Sequence, residues 1–454
     1  MKYVLMGLLW SLSLPAVAQP IQSLTPEAGL PLDRIWVLVC TILVFLMQAG
    51  FLCLEAGMSR RKHMAVMAIK HLMDWCLISL TFYLVGFGLM FGPSLAGLFG
   101  TGLFAFGALS PTGDVQALGG TFFLFMLAFA GTATAMVSGA MAERTSFIAY
   151  MATAAMVSLV IYPVYGHWVW GNLFLSGNRA WLAELGFHDF AGSSVVHVLG
   201  GTVALVGIWQ VGPRLGRFRP DGQTQPFEAV SVPLACLGAF LLWLGWWGFN
   251  GGSLYSFQAM RVADIILNTN LCGAAGAISA FFHCICFQQG RELPFKFLGG
   301  ALGGLVASTA VANLTGPQGV LLLGLLVGPV HNLAWVGLRR LKLDDPVGVV
   351  PAHAVCGALG ILSVPLIGQA ELLPAGSRLA QLGVQLLGLG VCILWTGGMA
   401  WLLFRLLRIG AGLRVSPVDE MNGLTFSLEP GAEPPADDVA LRSFLGMAEP
   451  SEDT

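Results

Sequence analysis

The chain has few charged residues. Asp, Glu, Lys and Arg make up only 10% of its 454 residues, whereas soluble domains carry about 25%. The net charge of −2 does not provide the basic surface of a nucleic-acid-binding protein. Hydrophobic residues account for 56% of the chain, and 59 residues are glycine. This composition argues against a soluble enzyme and predicts a protein that crosses a membrane several times.

Paired cysteines are also lacking. The nine cysteines fall singly within apolar segments, and Cys284 and Cys286 are the closest two. This spacing provides neither a disulfide framework nor a metal-binding motif, so we interpret the cysteines as small buried hydrophobic residues. No metal or other cofactor is expected.

The two ends of the chain differ from its middle. Residues 1–18 have the pattern of a signal peptide: Lys2, an apolar stretch too short to span a membrane, and small residues at 16–18. Residues 19–408 form the predicted membrane domain. Residues 409–454 are acidic and contain proline, which predicts a largely disordered cytoplasmic tail. Within it, only GLRVSPVDEMNGL (412–424) is expected to dock against the membrane domain.

Eleven apolar runs are long enough to cross ~30 Å of hydrocarbon. They lie at about 35–57, 72–92, 119–142, 146–166, 192–212, 230–249, 262–286, 297–314, 319–338, 347–368 and 380–407. One set of loops between them is rich in basic residues, namely Arg60, Arg61, Lys62, Arg144, Arg214, Arg217, Arg219, Arg291, Lys296, Arg339, Arg340 and Lys342. The opposite loops carry only Arg179, Arg261 and Arg378. This bias places the basic loops and the tail in the cytoplasm and the N-terminus outside it.

One thirteen-residue phrase occurs twice, as DFAGSSVVHVLGG from Asp189 and as DPVGVVPAHAVCG from Asp345. Aspartate, glycine, histidine and glycine recur at positions one, four, nine and thirteen. The phrases open the fifth and tenth spans, so the repeat unit is five helices. Because this unit has an odd number of helices, its second copy crosses the membrane in the opposite orientation. This predicts an all-α inverted repeat with halves at about 33–213 and 228–368. The eleventh span is expected to brace the other ten.

The repeated histidines, His197 and His353, lie inside apolar spans. Ionisable residues are expensive there and usually mark a path for substrate or protons. Two neutral imidazoles can share one proton and offer both a donor and an acceptor to a small neutral molecule. The alternative is that each histidine has a structural role only and bonds a nearby backbone carbonyl. The occurrence of both histidines at the same position of a repeated sequence argues against this. We expect the two rings to meet near the midplane of the membrane.

Aromatic residues cluster near the predicted outer ends of three spans. Phe125 and Phe129 are four residues apart on one face of the third span. Trp170 ends the fourth span, and Phe249 and Ser253 end the sixth within LGWWGFNGGS. Ring faces attract cations by about 0.5–2 kcal/mol, so these residues are candidates for a cation site. The alternatives are ordinary aromatic packing and, for the tryptophans including Trp246 and Trp247, an interfacial aromatic belt.

Taken together, these motifs resemble the ammonium transporter, methylammonium permease and Rhesus family. The resemblance covers about Asp33 to Arg414 and rests on VFLMQAGFLCLEAGM, VSGAMAER, HWVWG, DFAGSSVVH, GWWGFNGGS and DDPVGVVPAHAVCG. It implies transport of ammonium or ammonia, with methylammonium as an analogue, through a homotrimer in the inner membrane of a bacterium. It implies no catalytic residues, because the protein would be a transporter rather than an enzyme.

The resemblance also implies roles for individual residues. Phe129, Trp170 and Ser253 match the outer ammonium-recruiting site, with Asp189 nearby as a residue that holds local backbone. Phe129 and Phe249, with Phe125 beside them, match the gate. The pore-lining twin histidines correspond to His197 and His353, and Asp345 would be the inverted counterpart of Asp189.

Three histidines depart from the family pattern. His63 stands where asparagine is usual, a second Lys-His pair appears as Lys70-His71, and His331 introduces a polar group into the ninth span. The expectation is that none of them lies at a pore-lining position. Beyond Val415 the tail also lacks the usual pattern, which argues against regulation by a PII-type protein.

Two other functions fit parts of the pattern. An ammonium sensor would keep the binding site and signal through its tail, although residues 409–454 are short for an output domain. A membrane redox protein would use His197 and His353 as haem ligands. The phenyl rings above the histidines favour a narrow conduit over a haem cavity.

Overall fold

The computed structural model describes residues 31–106, 114–175, 177–221, 223–227, 229–287 and 290–424. The predicted signal peptide and the distal tail, residues 425–454, lie outside these residues.

Among the described residues, ten helices are long and apolar enough to cross a membrane, and one further apolar helix, α8, is shorter. The helices are α1 (Pro31–Met58), α2 (Arg61–Phe91), α3 (Asp114–Ala140), α4 (Phe147–Trp170), α5 (Ser193–Val211), α6 (Val232–Gly252), α7 (Ala259–Cys286), α8 (Leu293–Ser308), α9 (Pro317–Arg340), α10 (Val350–Ile367) and α11 (Arg378–Ile409). Ser94–Leu95 and Phe99–Gly100 pair as a short antiparallel hairpin after α2. The predicted all-α membrane fold is confirmed.

Two helices differ most from their predicted bounds. Helix α2 begins at Arg61 rather than near 72, because Lys70 and His71 are buried against internal partners and do not mark a loop. Lys70 Nζ donates to the Thr145 carbonyl over 3.2 Å, and His71 Nε2 lies 2.8 Å from Glu55 Oε2. Helix α8 ends at Ser308, and the chain turns over the next residues instead of continuing to 314.

The two repeated phrases meet symmetrically where α5 crosses α10. A Cβ atom added to Gly201, at position thirteen of the first phrase, would lie 2.5 Å from the backbone nitrogen of Ala354. One added to Gly357, at position thirteen of the second phrase, would lie 2.7 Å from the Ser193 carbonyl oxygen. Small residues permit this close helix contact in a membrane. The contact brings the starts of α5 and α10 together, as the inverted repeat requires.

Helix α11 packs across both halves. Trp395 Nε1 donates to the Ile161 carbonyl of α4 over 3.0 Å. Gln385 Nε2 donates to the carbonyls of His188 and Ile361, in the first and second halves respectively. These bonds satisfy polar groups that lipid could not, and they make α11 the brace that was predicted.

The ends of α1, α5 and α9 carry Arg60, Arg214 and Arg339 at one end of the bundle, which we call the basic end. The opposite end carries Trp170 and Ser253, and we call it the aromatic end. At the basic end, Glu143 is fully buried, with Arg60 Nε 2.6 Å and Arg214 Nη1 3.3 Å from its Oε2. Arg214 Nε also lies 2.7 Å from Asp344 Oδ2, so one guanidinium links both halves.

The docking segment 412–424 packs against residues next to this ion-pair cluster. The Val415 N–H donates to the Arg144 carbonyl over 3.0 Å, and Glu420 Oε1 accepts from the Leu215 N–H over 2.7 Å. A short helix, α12 (Pro417–Asn422), is capped by Ser416, whose hydroxyl accepts from the Asp419 N–H. The segment therefore contacts the ends of α3 and α5 directly.

Acid is expected to loosen the basic end. Burial would raise the pKa of Glu143, but Arg214 and Arg60 outweigh it and lower the pKa to about 2. Burial would likewise raise the pKa of Asp344, but Arg214 holds it below its usual range. In the unfolded chain, Asp and Glu carboxyls have pKa values of about 4. A carboxyl whose pKa is lower in the folded than in the unfolded protein stabilises the fold fully above its unfolded pKa. This stabilisation is lost as the pH falls to the pKa of the folded protein.

The thermal unfolding midpoint in detergent should therefore hold from about pH 7 to pH 5 and fall between about pH 4 and pH 2. Asp344→Asn removes one of the two carboxylates, so this variant should be less stable at neutral pH and less sensitive to acid. A wild-type midpoint that stays flat down to about pH 2 would contradict the role of these ion pairs.

Candidate functional site

His197 and His353 are in direct contact in the centre of the bundle. Their Nδ1 atoms are 3.2 Å apart and their ring centroids 5.2 Å apart, at an interplanar angle of 32°. Each lies in a π-helical turn at the start of its span, Ser193–Val198 in α5 and Val350–Val355 in α10. A hydrogen bond between two Nδ1 atoms requires one ring to donate and the other to accept, so the pair holds one shared proton. Among the described residues, His197 Nε2 has no hydrogen-bond partner, which leaves it available to a guest.

Each histidine is positioned by the aspartate that opens its phrase. Asp189 accepts from the backbone N–H groups of Gly192, Ser194 and Val195 over 2.7–3.0 Å. Asp345 does the same at the other end, accepting from Gly348 and Val350 over 3.0 and 2.8 Å. Burial raises the pKa of both carboxyls, and these N–H groups act in the opposite direction.

The glycine at position four of each phrase completes the turn. Gly192 has φ 109° and Gly348 has φ 77°, a left-handed conformation that other residues rarely adopt. Aspartate, glycine, histidine and the final glycine thus have the same structural tasks in both phrases. The repeat in the sequence corresponds to a repeat in the structure.

Aromatic rings are stacked on the His197 side of the histidine pair. The Phe129 and Phe249 rings are 3.8 Å apart at 13°, and Phe249 lies 5.6 Å from the His197 ring. Phe125 is tilted against Phe129 at 4.7 Å. All three phenylalanines are buried, so they close the column toward the aromatic end. The residues predicted as a gate are therefore together in the structure.

The other two predicted recruiting residues flank this gate. The Trp170 ring lies 6.1 Å from Phe129 at 69°, and its Nε1 donates to the Asp189 carbonyl over 2.9 Å. Ser253 Oγ donates to the Phe249 carbonyl over 2.8 Å, which leaves its oxygen lone pairs free to accept. Trp170 therefore contacts one ring of the gate, and Ser253 is bonded to the backbone of the residue that carries the other ring.

Trp246 is a site residue whose role the sequence left open, with an interfacial aromatic belt as one alternative. It is fully buried, its ring is stacked on His197 at 5.3 Å and 25°, and its Nε1 donates to Thr309 Oγ1. The belt interpretation is wrong for Trp246, whereas Trp247 is 37% exposed. The available signal was spacing: Trp246 is three residues before Phe249 and so lies on the same helical face.

Phe51 was also missed. Its ring lies 6.3 Å from His353, on the side opposite the gate. Below it is a small cavity whose walls come from the basic ends of α1, α8 and α10 and from α3. The walls include Phe51, Glu55, Gly139, Phe295, Gly299 and His353. The histidine pair therefore separates an aromatic gate from an inner cavity.

The three departing histidines lie outside the cavity wall, but two of them support it. His71 holds Glu55, a wall residue, and the His331 ring packs against the backbone of Gly299, another wall residue. His331 is itself held by Asn332 through Nδ1. His63 lies elsewhere, 4.0 Å from Glu143 and beneath Leu424.

The geometry of the pair argues against a haem site. Axial ligands of one haem iron lie on opposite faces of the porphyrin ring. Nδ1 atoms 3.2 Å apart leave no space for that ring between them. Within the described residues, His, Cys, Asp and Glu form no group of three or more that would hold a metal ion.

Comparisons with known proteins agree with this arrangement. Residues 35–428 match the model of the Ammonium Transporter Family. The ammonium transporter Amt2 of Archaeoglobus fulgidus is 38% identical over 419 residues, which cover 89% of this chain and 88% of the relative. The ammonium transporter Amt1 of Haloferax mediterranei is 37% identical over 86% of this chain and 77% of its own length.

Solved structures show the same fold. A structure titled Sensor Amt Protein has a TM-score of 0.84 and 41% identity, and it covers 87% of this chain and 97% of its own. Mep2 of Candida albicans has a TM-score of 0.75 and 26% identity over 85% of this chain and 86% of its own. The chain belongs to the Ammonium Transporter Family.

Proposed function

We propose that this protein carries ammonium across the membrane by moving it through the pore as ammonia. The observation that carries this proposal is the continuous column Phe129, Phe249, His197 and His353, in which each ring contacts the next. Methylammonium would use the same path as an analogue. Transport by such a column needs no cofactor.

The chemistry follows from the two ends of this column. Ammonium is strongly hydrated, so carrying the bare ion into an apolar pore is expensive. Trp170, Phe129 and Ser253 replace part of its water shell by ring faces and an acceptor oxygen. Loss of a proton to the water outside this entrance gives a small neutral amine, which passes the phenyl rings and hydrogen-bonds along the imidazole edges. The amine takes up a proton again beyond His353.

Asp189 and Asp345 have positioning roles in this proposal. Their carboxylate oxygens are engaged by backbone N–H groups, so they hold the turns that aim His197 and His353. The expected substrate contacts are made by the rings and by Ser253.

The orientation and assembly are also proposals. The basic end faces the cytoplasm of a bacterium, because basic loops are retained there, and the aromatic end faces outward. The N-terminus is then periplasmic, and the docking segment is cytoplasmic. The family resemblance adds a homotrimer with one pore in each subunit, which native mass spectrometry would test. The tail departs from the family pattern, so a PII-type partner is not expected.

A sensor is the second candidate, favoured by the similarity to the structure titled Sensor Amt Protein. A sensor would bind ammonium without sustained flux. Uptake of labelled methylammonium into proteoliposomes distinguishes the two functions. The transport proposal predicts saturable uptake that unlabelled ammonium competes away. Saturable binding with uptake no faster than in protein-free liposomes would favour the sensor instead.

Phe249→Ala is expected to open the gate. The change removes the ring that separates Phe129 from His197, so water and hydrated ions gain access to the histidines. We expect potassium leakage in proteoliposomes to rise by about tenfold or more, while the elution profile in detergent stays that of the wild type. Phe240→Ala, at an exposed position on the same helix, is the matched control. Unchanged selectivity in a well-folded Phe249→Ala protein would argue against the gate.

A further inference from the structure

The inner cavity below His353 has the same design as the outer recruiting site. Residues 50–55, GFLCLE, and 248–253, GFNGGS, both begin with Gly-Phe and both carry a polar residue at the sixth position. They lie on α1 and α6, the first helices of the two halves. Under the inverted repeat, Phe51 corresponds to Phe249 and Glu55 corresponds to Ser253.

The structure places these pairs equivalently. Phe51 lies 6.3 Å from His353, and Phe249 lies 5.6 Å from His197. One turn further along its helix, Glu55 lines the inner cavity, as Ser253 follows Phe249 toward the aromatic end. Each histidine therefore has a phenyl ring beside it and a polar side chain beyond that ring.

A tryptophan completes the likeness. Trp170 packs against Gly192, and Trp335 packs against Gly348, so each tryptophan meets position four of a repeated phrase. The Trp335 ring also stacks on Phe295 of the cavity wall. Trp335 is 8% exposed, and among the described residues its Nε1 has no hydrogen-bond partner. A buried N–H without a partner is costly and points to a polar guest or water.

Glu55 is the feature that the outer site lacks. Its Oε1 accepts from Ser138 Oγ over 2.9 Å, and its Oε2 lies 2.8 Å from His71 Nε2. A carboxylate oxygen has two lone pairs, so these contacts leave acceptor positions on the cavity side. Other titratable groups close by are Lys70, which is directed to the Thr145 carbonyl, and Asp74, which accepts from Thr134.

We propose that Glu55, Phe51 and the cavity wall form an inner binding site for a small monovalent cation, namely ammonium or methylammonium. The inference rests on the proposed transport function and deepens it. The site receives the amine beyond His353 and holds it once it has been protonated by the water of the cavity. The carboxylate binds the ammonium group more strongly than the Ser253 hydroxyl does, so the inner face retains substrate longer than the outer face.

Membrane vesicles of opposite orientation test this proposal. Initial rates of labelled methylammonium uptake, measured over a range of concentrations, give a half-saturation concentration for each face. Glu55→Gln should raise the half-saturation concentration at the basic face by about tenfold or more. At the aromatic face the half-saturation concentration should stay within about twofold of the wild-type value. Ser253→Ala should do the reverse.

His63→Asn is the matched control. Like His71, His63 is a buried imidazole on α2 that lies near a carboxylate, but it is away from the cavity wall. Both half-saturation concentrations should therefore stay as in the wild type. If Glu55→Gln does not reach the membrane, Phe51→Leu decides the question, because it removes the ring face and keeps an apolar side chain. A rise confined to the basic face supports the site.

An unchanged value at the basic face, or an equal rise at both faces, overturns the inner site. Absence of saturable uptake by the wild type in either orientation is a different result, because it would remove the transport function on which the inference rests.

Discussion

Replacing His197 or His353 with alanine is expected to lower methylammonium uptake to less than about a tenth of the wild-type rate, or to let metal cations pass. Each imidazole supplies one half of a direct contact that joins the aromatic gate to the inner cavity. Without it, an apolar void or a water-filled gap interrupts the hydrogen-bonding path. Labelled uptake and potassium leakage in proteoliposomes measure the two effects.

The double variant shows whether the histidines act as a unit. Two residues that share one proton lose their joint function when either is removed. The uptake rate of the double variant should therefore be no lower than that of the less active single variant. His283→Ala, a half-buried histidine on α7, is the control and should retain uptake. Wild-type uptake and selectivity in both single variants would contradict the twin-histidine assignment.

Asp189→Ala should cause the second large effect, this time on stability. Three backbone N–H groups and the Ser194 hydroxyl lose their acceptor inside the protein. Each unsatisfied group costs about 1–3 kcal/mol, so we expect a loss of several kcal/mol and little folded protein in the membrane. Asp189→Asn keeps one acceptor oxygen and should cost less.

The matched test is Asp345→Asn, because Asp345 holds the equivalent turn of the second half. Both asparagine variants should lower the thermal unfolding midpoint in detergent, whereas Glu184→Gln, in an exposed ion pair, should not. Full stability of Asp189→Ala would mean that the turn does not depend on the carboxylate.

The sequence predicted the parts of this molecule that repeat. Aspartate, glycine and histidine at fixed spacing in both halves predicted an inverted repeat, and the structure gives each position the same task twice. The spacing of Phe125 and Phe129 also predicted that they share one helical face, whereas the pairing of Phe129 with Phe249 as a gate came from the family resemblance. Hydrophobic runs located the helices because lipid contact requires them.

The polar interior was harder to predict. Lys70 and His71 lowered the apparent hydropathy of α2, although both point inward to the Thr145 carbonyl and to Glu55. A hydropathy pattern does not distinguish a polar residue in a loop from one with a buried partner far away in the chain. For the same reason the sequence left a belt position open for Trp246, because its partner His197 lies on another helix.

The central claim is that the nitrogen crosses the histidine pair as a neutral molecule. It is tested by loading proteoliposomes with a pH-sensitive dye and adding matched external pulses of ammonium or potassium, two monovalent cations of similar size. Because ammonium leaves its proton outside and the amine takes up another inside, the wild type should make the interior alkaline after ammonium, faster than protein-free liposomes, and not after potassium. Substrate entry without a rise in internal pH would show that the intact cation crosses, and the account would be wrong.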